Sequence, residues 1–108
     1  MSAVIFGRIA IIGFGLIGSS LARAVRAHGL VRVIVACDRD EAARATISRL
    51  ALADEVTGDP AAAVRDADLV VIAAPLGAYA DIAKQIAPAL KPGAVVSDKT
   101  APRPSARI

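Results

Sequence analysis

Tryptophan is absent from this 108-residue chain, and aromatic residues of all kinds reach only 3%. A core therefore has to be assembled from Ala, Val, Ile and Leu, which dominate a hydrophobic content of 56%. Cysteine occurs once, as Cys37, which excludes an internal disulfide and fits a reducing compartment, so a cytoplasmic protein is expected. Histidine also occurs once, as His28. It is the only candidate for proton transfer at neutral pH, but it sits beside Gly29 at the end of a predicted helix, where the helix dipole favours it structurally. One Cys and one His do not make a zinc site, so neither a catalytic residue nor a metal ligand is assigned. No apolar run reaches the ~18–20 residues of a membrane-spanning helix. The run Ile9 to Gly18 does not serve as a signal-peptide core either: only Arg8 precedes it, glycines interrupt it, and Arg23 and Arg26 follow.

An excess of one charge is lacking as well, once position is considered. The formal charge is +3, but Lys99, Arg103 and Arg107 carry all of it within the last ten residues, which contain no acid. The remainder is balanced and offers no basic surface for a nucleic-acid backbone. The length suits one domain: residues 1–98 read as the folded domain, and residues 99–108 as a low-complexity tail without a fold of its own.

What is present alternates between two periodicities. Arg8 to Ile12 is a short apolar run ending at Gly13, the pattern of a strand covered on both faces. From Leu16 the spacing of Ile17, Leu21, Ala24, Val25 and His28 is helical, and Gly29 sits where a helix C-cap glycine belongs. Val31 to Cys37 is a second strand. Asp40 then caps a helix with Glu41 in its first turn, extending to about Leu52. Glu55 to Thr57 reads as a short strand, and Asp59-Pro60 as a helix start, with that helix ending near Asp66 to Asp68. Leu69 to Ala74 is a strand stopped by Pro75. A helix from about Tyr79 to Leu90 follows, with Ile82, Ile86 and Leu90 on one face. Lys91-Pro92-Gly93 turns into a last strand, Ala94 to Ser97, ending at Asp98. Regular alternation of this kind implies an α/β fold, a doubly wound parallel sheet of the Rossmann type.

Gly13-Phe14-Gly15-Leu16-Ile17-Gly18 matches the G-x-G-x-x-G pattern in its proper setting, between a strand and a helix with a second strand beyond. In that setting Gly13 permits the turn, Gly15 lets a pyrophosphate approach the backbone, and Gly18 lets the helix lie close to the sheet. Phe14, Leu16 and Ile17 belong to the same turn, and the helix start offers unpaired N–H groups to phosphate. Asp38 ends the second strand 20 residues after Gly18, where a carboxylate for the adenosine ribose is expected. Its charge disfavours a 2′-phosphate, so NAD is expected over NADP. Arg39 works in the opposite direction, since an arginine there can pair with that phosphate. Cys37 reads as core filling, Asp66 and Asp68 as turn and cap acids, and Ser19 and Ser20 as helix surface or phosphate-facing hydroxyls.

Ile9 to Ala22, with its Leu16-Ile17-Gly18-Ser19-Ser20 continuation, resembles the N-terminal motif of the prephenate and arogenate dehydrogenases. Asp66 to Leu76 resembles that family's fourth-strand segment, and Leu90 to Asp98 its approach to the fifth strand. The resemblance implies oxidative decarboxylation in tyrosine biosynthesis with NAD(P)+ as hydride acceptor, and Ala74 and Pro75 beside the nicotinamide ribose. It also implies that prephenate or arogenate is bound only with a helical C-terminal domain, which carries family features not found in these 108 residues. After Asp98 the family continues with a small residue and Gly-Ser-Val-Lys. Here Lys99-Thr100-Ala101-Pro102 stands instead, with Ala101 in the serine's place, which suggests a reading frame interrupted near Lys99. The expectation is an NAD-binding portion that is inactive alone. The alternatives are a non-catalytic nucleotide-binding module or broken-gene product, and the cofactor domain of a hydroxy-acid-type dehydrogenase.

Overall fold

The computed structural model describes residues 6–98; the expected tail at 99–108 lies outside them. Strands β1 (Phe6–Ile12), β2 (Val31–Cys37), β3 (Glu55–Thr57), β4 (Leu69–Ile72) and β5 (Val95–Asp98) alternate with helices α1 (Leu16–Ala27), α2 (Glu41–Arg49), α3 (Pro60–Val64) and α4 (Leu76–Ile86). All strands pair in parallel, in the order β3-β2-β1-β4-β5. The chain winds outward from β1 to β3, then returns to the other side of β1 with β4, so the order reverses between β1 and β4. This is the Rossmann-type arrangement, and ligands of such sheets lie outside the strand ends at that reversal.

The continuous apolar runs are explained by cover on both faces. Along β1, Ile9 and Ile11 join one cluster with Ala22 and Ile47, while Ala10 and Ile12 join another with Val64, Ile82 and Ile86. Successive side chains of a strand point to opposite faces, so one pentapeptide feeds both cores. With little aromatic bulk, the fully buried positions are filled by Ile and Val, among them Ile9, Ile11, Ile34, Val64 and Val70.

Element ends differ from expectation where backbone geometry intervenes. β1 starts at Phe6, before Arg8, because Phe6 N–H reaches Leu30 O at 3.1 Å. α2 stops at Arg49, short of Leu52, and Ala51 takes the left-handed φ of +54°. α3 closes at Val64; Arg65 is extended and Asp66 has φ +65°. β4 ends at Ile72, not Ala74, and α4 begins directly after Pro75. α4 gives way to a 3₁₀ turn at Ala87–Ala89, because Pro88 has no N–H for a further helical bond. The caps are as the sequence indicates: Asp40 accepts from Ala42 N–H and Asp59 from Ala61 N–H. No helix among the described residues is long and apolar enough to cross a membrane.

Candidate functional site

The turn from β1 into α1 is packed so closely that two of its glycines have no room for a side chain. A Cβ on Gly13, at φ +86°, would come 2.7 Å from Ala74 N, and one on Gly18 2.8 Å from Gly13 O. The first contact brings the end of β4 over the turn; the second seats α1 on it. Gly15 is different. A Cβ there would meet nothing within 4 Å, so this glycine borders open space. It is also the N-cap of α1 and supplies no side-chain acceptor, which leaves the first-turn N–H groups without an intrahelical partner. Leu16 and Ile17, at the start of the helix, are 86% and 52% exposed. Phe14 points the other way, into the core with Ile9 and Ile11.

Asp38 stands beside this turn and is tied to it. Its Oδ2 accepts from Phe14 N–H at 3.1 Å and its Oδ1 from Asp40 N–H at 3.0 Å. The backbone is equally engaged: Asp38 N–H donates to Thr57 O, and Gly13 N–H to Cys37 O at 2.7 Å. Each carboxylate oxygen accepts more than one hydrogen bond, so acceptor capacity remains after these bonds. Phe14 thus has a part the glycine pattern does not reveal: its N–H fixes the neighbouring carboxylate.

Two adjoining hollows meet over Gly13, Asp38 and Pro75. The smaller, about 430 Å³, runs along Gly15, Leu16, Ile17, Ala73 and Ala74. The larger, about 630 Å³, extends from Asp38 and Arg39 past Gly58 and Pro60 to Ala78, Asp81, Ile82 and Gln85. The expected residues Gly13, Gly15, Leu16, Ile17, Asp38, Arg39, Ala74 and Pro75 are therefore brought together around one cleft, while Gly18 and Phe14 support it from beneath. Gly58, Pro60, Asp81 and Gln85 were not anticipated. The signal for the helical pair was its spacing, since Gly77, Asp81 and Gln85 recur every four residues and share a helix face.

Cys37 lines the larger hollow, but its thiol is pushed up to about 12, by burial first and then by the charges of Asp38 and Asp59, with Arg44 opposing. It stays a thiol at neutral pH and is no nucleophile. Ser19 Oγ donates back to Gly15 O at 2.9 Å. Asp66 occupies its left-handed turn position, and Asp68 accepts from Arg8 N–H and Lys91 Nζ near the amino ends of the strands. His28 caps α1 at the end remote from the glycine turn.

The profile of the family described as "NADP oxidoreductase coenzyme F420-dependent" matches residues 8–102. A cyclohexadienyl dehydrogenase of Zymomonas mobilis subsp. mobilis is 44% identical over 94 residues, 87% of this chain and 32% of that relative. A prephenate dehydrogenase of A. aeolicus, solved with hydroxyphenyl propionate and NAD+, superposes with a TM-score of 0.78 at 25% identity, over 86% of this chain and 33% of that one. The arogenate dehydrogenase of Synechocystis gives a TM-score of 0.76 at 26% identity, over 84% and 32%. The chain spans about a third of the length of these relatives. Its resemblance to the prephenate and arogenate dehydrogenases holds in both sequence and structure, and by the family match over nearly all of its length this chain belongs to the NADP oxidoreductase, coenzyme F420-dependent, family.

Proposed function

We propose that this chain is the NAD-binding portion of a prephenate/arogenate-type dehydrogenase. The observation that carries the proposal is the open backbone at Gly15, set between unpaired helix N–H groups and the Asp38 carboxylate at the sheet's reversal point. A cradle that a Cβ at Gly15 would narrow, next to a carboxylate with acceptor capacity to spare, fits a dinucleotide. In this reading Gly13, Phe14, Gly15, Leu16, Ile17 and Gly18 form the pyrophosphate turn. Leu16 and Ile17 bring both their N–H groups and apolar cover to it. Asp38 accepts from the adenosine ribose hydroxyls, Arg39 borders the adenosine, and Ala74 and Pro75 flank the nicotinamide ribose.

When bound, NAD+ supplies a hydride acceptor for the oxidative decarboxylation that makes a cyclohexadienyl ring aromatic, a step of tyrosine biosynthesis in the cytoplasm. The described residues contribute binding and orientation. Hydrogen-bond acceptors from Asp38 hold the ribose, the helix N–H groups hold phosphate, and the apolar residues at the mouth exclude water. NAD is favoured over NADP because the Asp38 charge repels a 2′-phosphate. In this reading the described residues 6–98 make up the dinucleotide-binding unit, and prephenate or arogenate requires the further part of the longer relatives.

Calorimetric titration with NAD+ and NADP+, paired with an assay for NADH from prephenate and arogenate, tests the proposal. Tighter binding of NAD+ with no turnover by the 108-residue chain is expected. Failure to bind either dinucleotide overturns the cofactor reading, and NADH formation overturns the requirement for a second domain.

A further inference from the structure

One charged side chain beside the cleft has no part in the binding scheme above. Arg44 lies one turn into α2, yet its side chain runs back over the turn between β2 and α2. Its Nη1 donates to Asp38 O at 2.8 Å, and the residue is half-buried. The guanidinium rests on the turn after β3: a Cβ on Gly58 would come 2.7 Å from Nη1 and 3.2 Å from Cζ. Among the described residues no carboxylate lies within ion-pair distance of Arg44, although the N-cap Asp40 and the first-turn Glu41 closely precede it.

The bond is placed where the strand ladder runs out. β2 ends at Cys37, whose carbonyl is taken by Gly13 N–H. The next carbonyl, that of Asp38, lies beyond the last paired residue and has only Arg44 as its donor among the described residues. The peptide unit following Asp38 is thus oriented by a side chain. With the bonds from Phe14 and Asp40 to the carboxylate, every polar group of Asp38 is held. Three acids also crowd this turn, Asp38, Asp40 and Glu41, and a cation beneath it offsets their repulsion without covering the carboxylate that opens on the cleft.

We propose that Arg44 is a positioning residue for ribose recognition, its guanidinium seated on Gly58 and fixing the Asp38 carbonyl so that the Asp38 carboxylate is presented to the 2′ and 3′ hydroxyls. This inference rests on the cofactor reading above. Arg44 does not itself touch the sugar. Gly58 is its seat, a position where a side chain would push the guanidinium away.

Paired titrations of ADP and 2′,3′-dideoxy-ADP provide the test. Arg44→Met weakens ADP binding about 5–10-fold, the size of one ordinary hydrogen bond, and leaves dideoxy-ADP binding as in the unsubstituted chain. Arg44→Lys, whose ammonium also donates to a carbonyl, restores most of the loss. In an Asp38→Ala background Arg44→Met costs nothing further, the non-additivity expected of residues acting through one another. Gly58→Ala, which displaces the guanidinium while keeping the arginine, repeats the selective loss and serves if Arg44→Met does not fold. Equal loss for ADP and dideoxy-ADP, or a loss confined to NADP+, overturns the proposal, the latter making Arg44 a direct phosphate ligand. If the unsubstituted chain binds ADP and Arg44→Met matches it, this inference alone fails; if the unsubstituted chain binds no adenine nucleotide, the cofactor reading has failed.

Discussion

Aspartates stand at both edges of the parallel sheet, and the two edges use them differently. At the amino edge, Asp68 accepts from Arg8 N–H at 3.0 Å and from Lys91 Nζ, and Asp54 accepts from Ile34 N–H and Arg26 Nη2, both at 2.8 Å. Each is a closed clip, one backbone donor and one cation around one carboxylate. At the carboxyl edge Asp38 takes two backbone donors and, among the described residues, no basic side chain on its carboxylate. Its charge stays directed at the cleft. The glycines divide in the same way within the carboxyl edge itself, Gly13 and Gly18 being consumed by packing and Gly15 left bordering space. One edge spends its polar groups on stability; the other holds its polar groups in place while leaving them available.

The contrast breaks most readily at Gly13. Gly13→Ala forces a side chain at φ +86° into the Ala74 backbone, and strain plus overpacking is expected to cost about 3 kcal/mol or more, read from urea unfolding. A variant as stable as the original would show that β4 does not close over the turn.

Gly15→Ala sharpens the comparison, because folding and binding should separate. With nothing within 4 Å of the added Cβ, only the poorer N-cap propensity of Ala counts against it, and unfolding free energy should fall by no more than about 1 kcal/mol. NAD+ affinity should fall at least tenfold, about 1.4 kcal/mol, as read by calorimetry. Unchanged affinity would remove Gly15 from the cradle.

Asp68→Asn probes the opposite edge. The Lys91 bond, then the Arg8 N–H, hold the Asp68 carboxyl below the usual carboxylate range. For Asp54 burial acts upward, but the Ile34 N–H and Arg26 outweigh it and its carboxyl also lies low. A folded pKa below the unfolded one means that the unfolded chain binds more protons between the two values. This stabilisation is therefore complete above the unfolded value, near 3.9, and is lost as pH falls through the folded value. Asp68→Asn should cost about 1 kcal/mol at neutral pH, the scale of a partly exposed clip, flatten the acid limb of stability against pH, and leave NAD+ affinity alone. A loss of affinity would mean that the two edges are coupled.

Leu16→Ala should have the smallest effect on folding, below about 0.5 kcal/mol, since Leu16 is 86% exposed. A larger destabilisation would place it in the core rather than at the mouth of the cleft.

Much of this was legible in the chain. The five strands and four helices were each indicated by period, cap or glycine, because burial on both faces of a parallel sheet leaves continuous apolar runs that little else produces. Their ends were less so. α4 was expected from about Tyr79 and begins at Leu76, since Pro75 halts a strand and starts a helix equally well, and the sequence shows only the halt. Within the site, the glycine pattern and Asp38 were evident from spacing alone. Gly58, the α4 pair Asp81 and Gln85, and Arg44 were not, because they come from three separate parts of the chain that only the winding of the sheet brings to the same edge.

By itself, then, the sequence determined the alternation of strand and helix, the glycine turn and the acid at the end of β2, all of which depend on residues near one another in the chain. The tertiary structure decided which donors Asp38 would meet, which glycine would border open space, and where Arg44 would find its carbonyl. Those outcomes follow from distances across β1, β2, β3 and β4, and such distances exist only once both faces of the sheet have been buried.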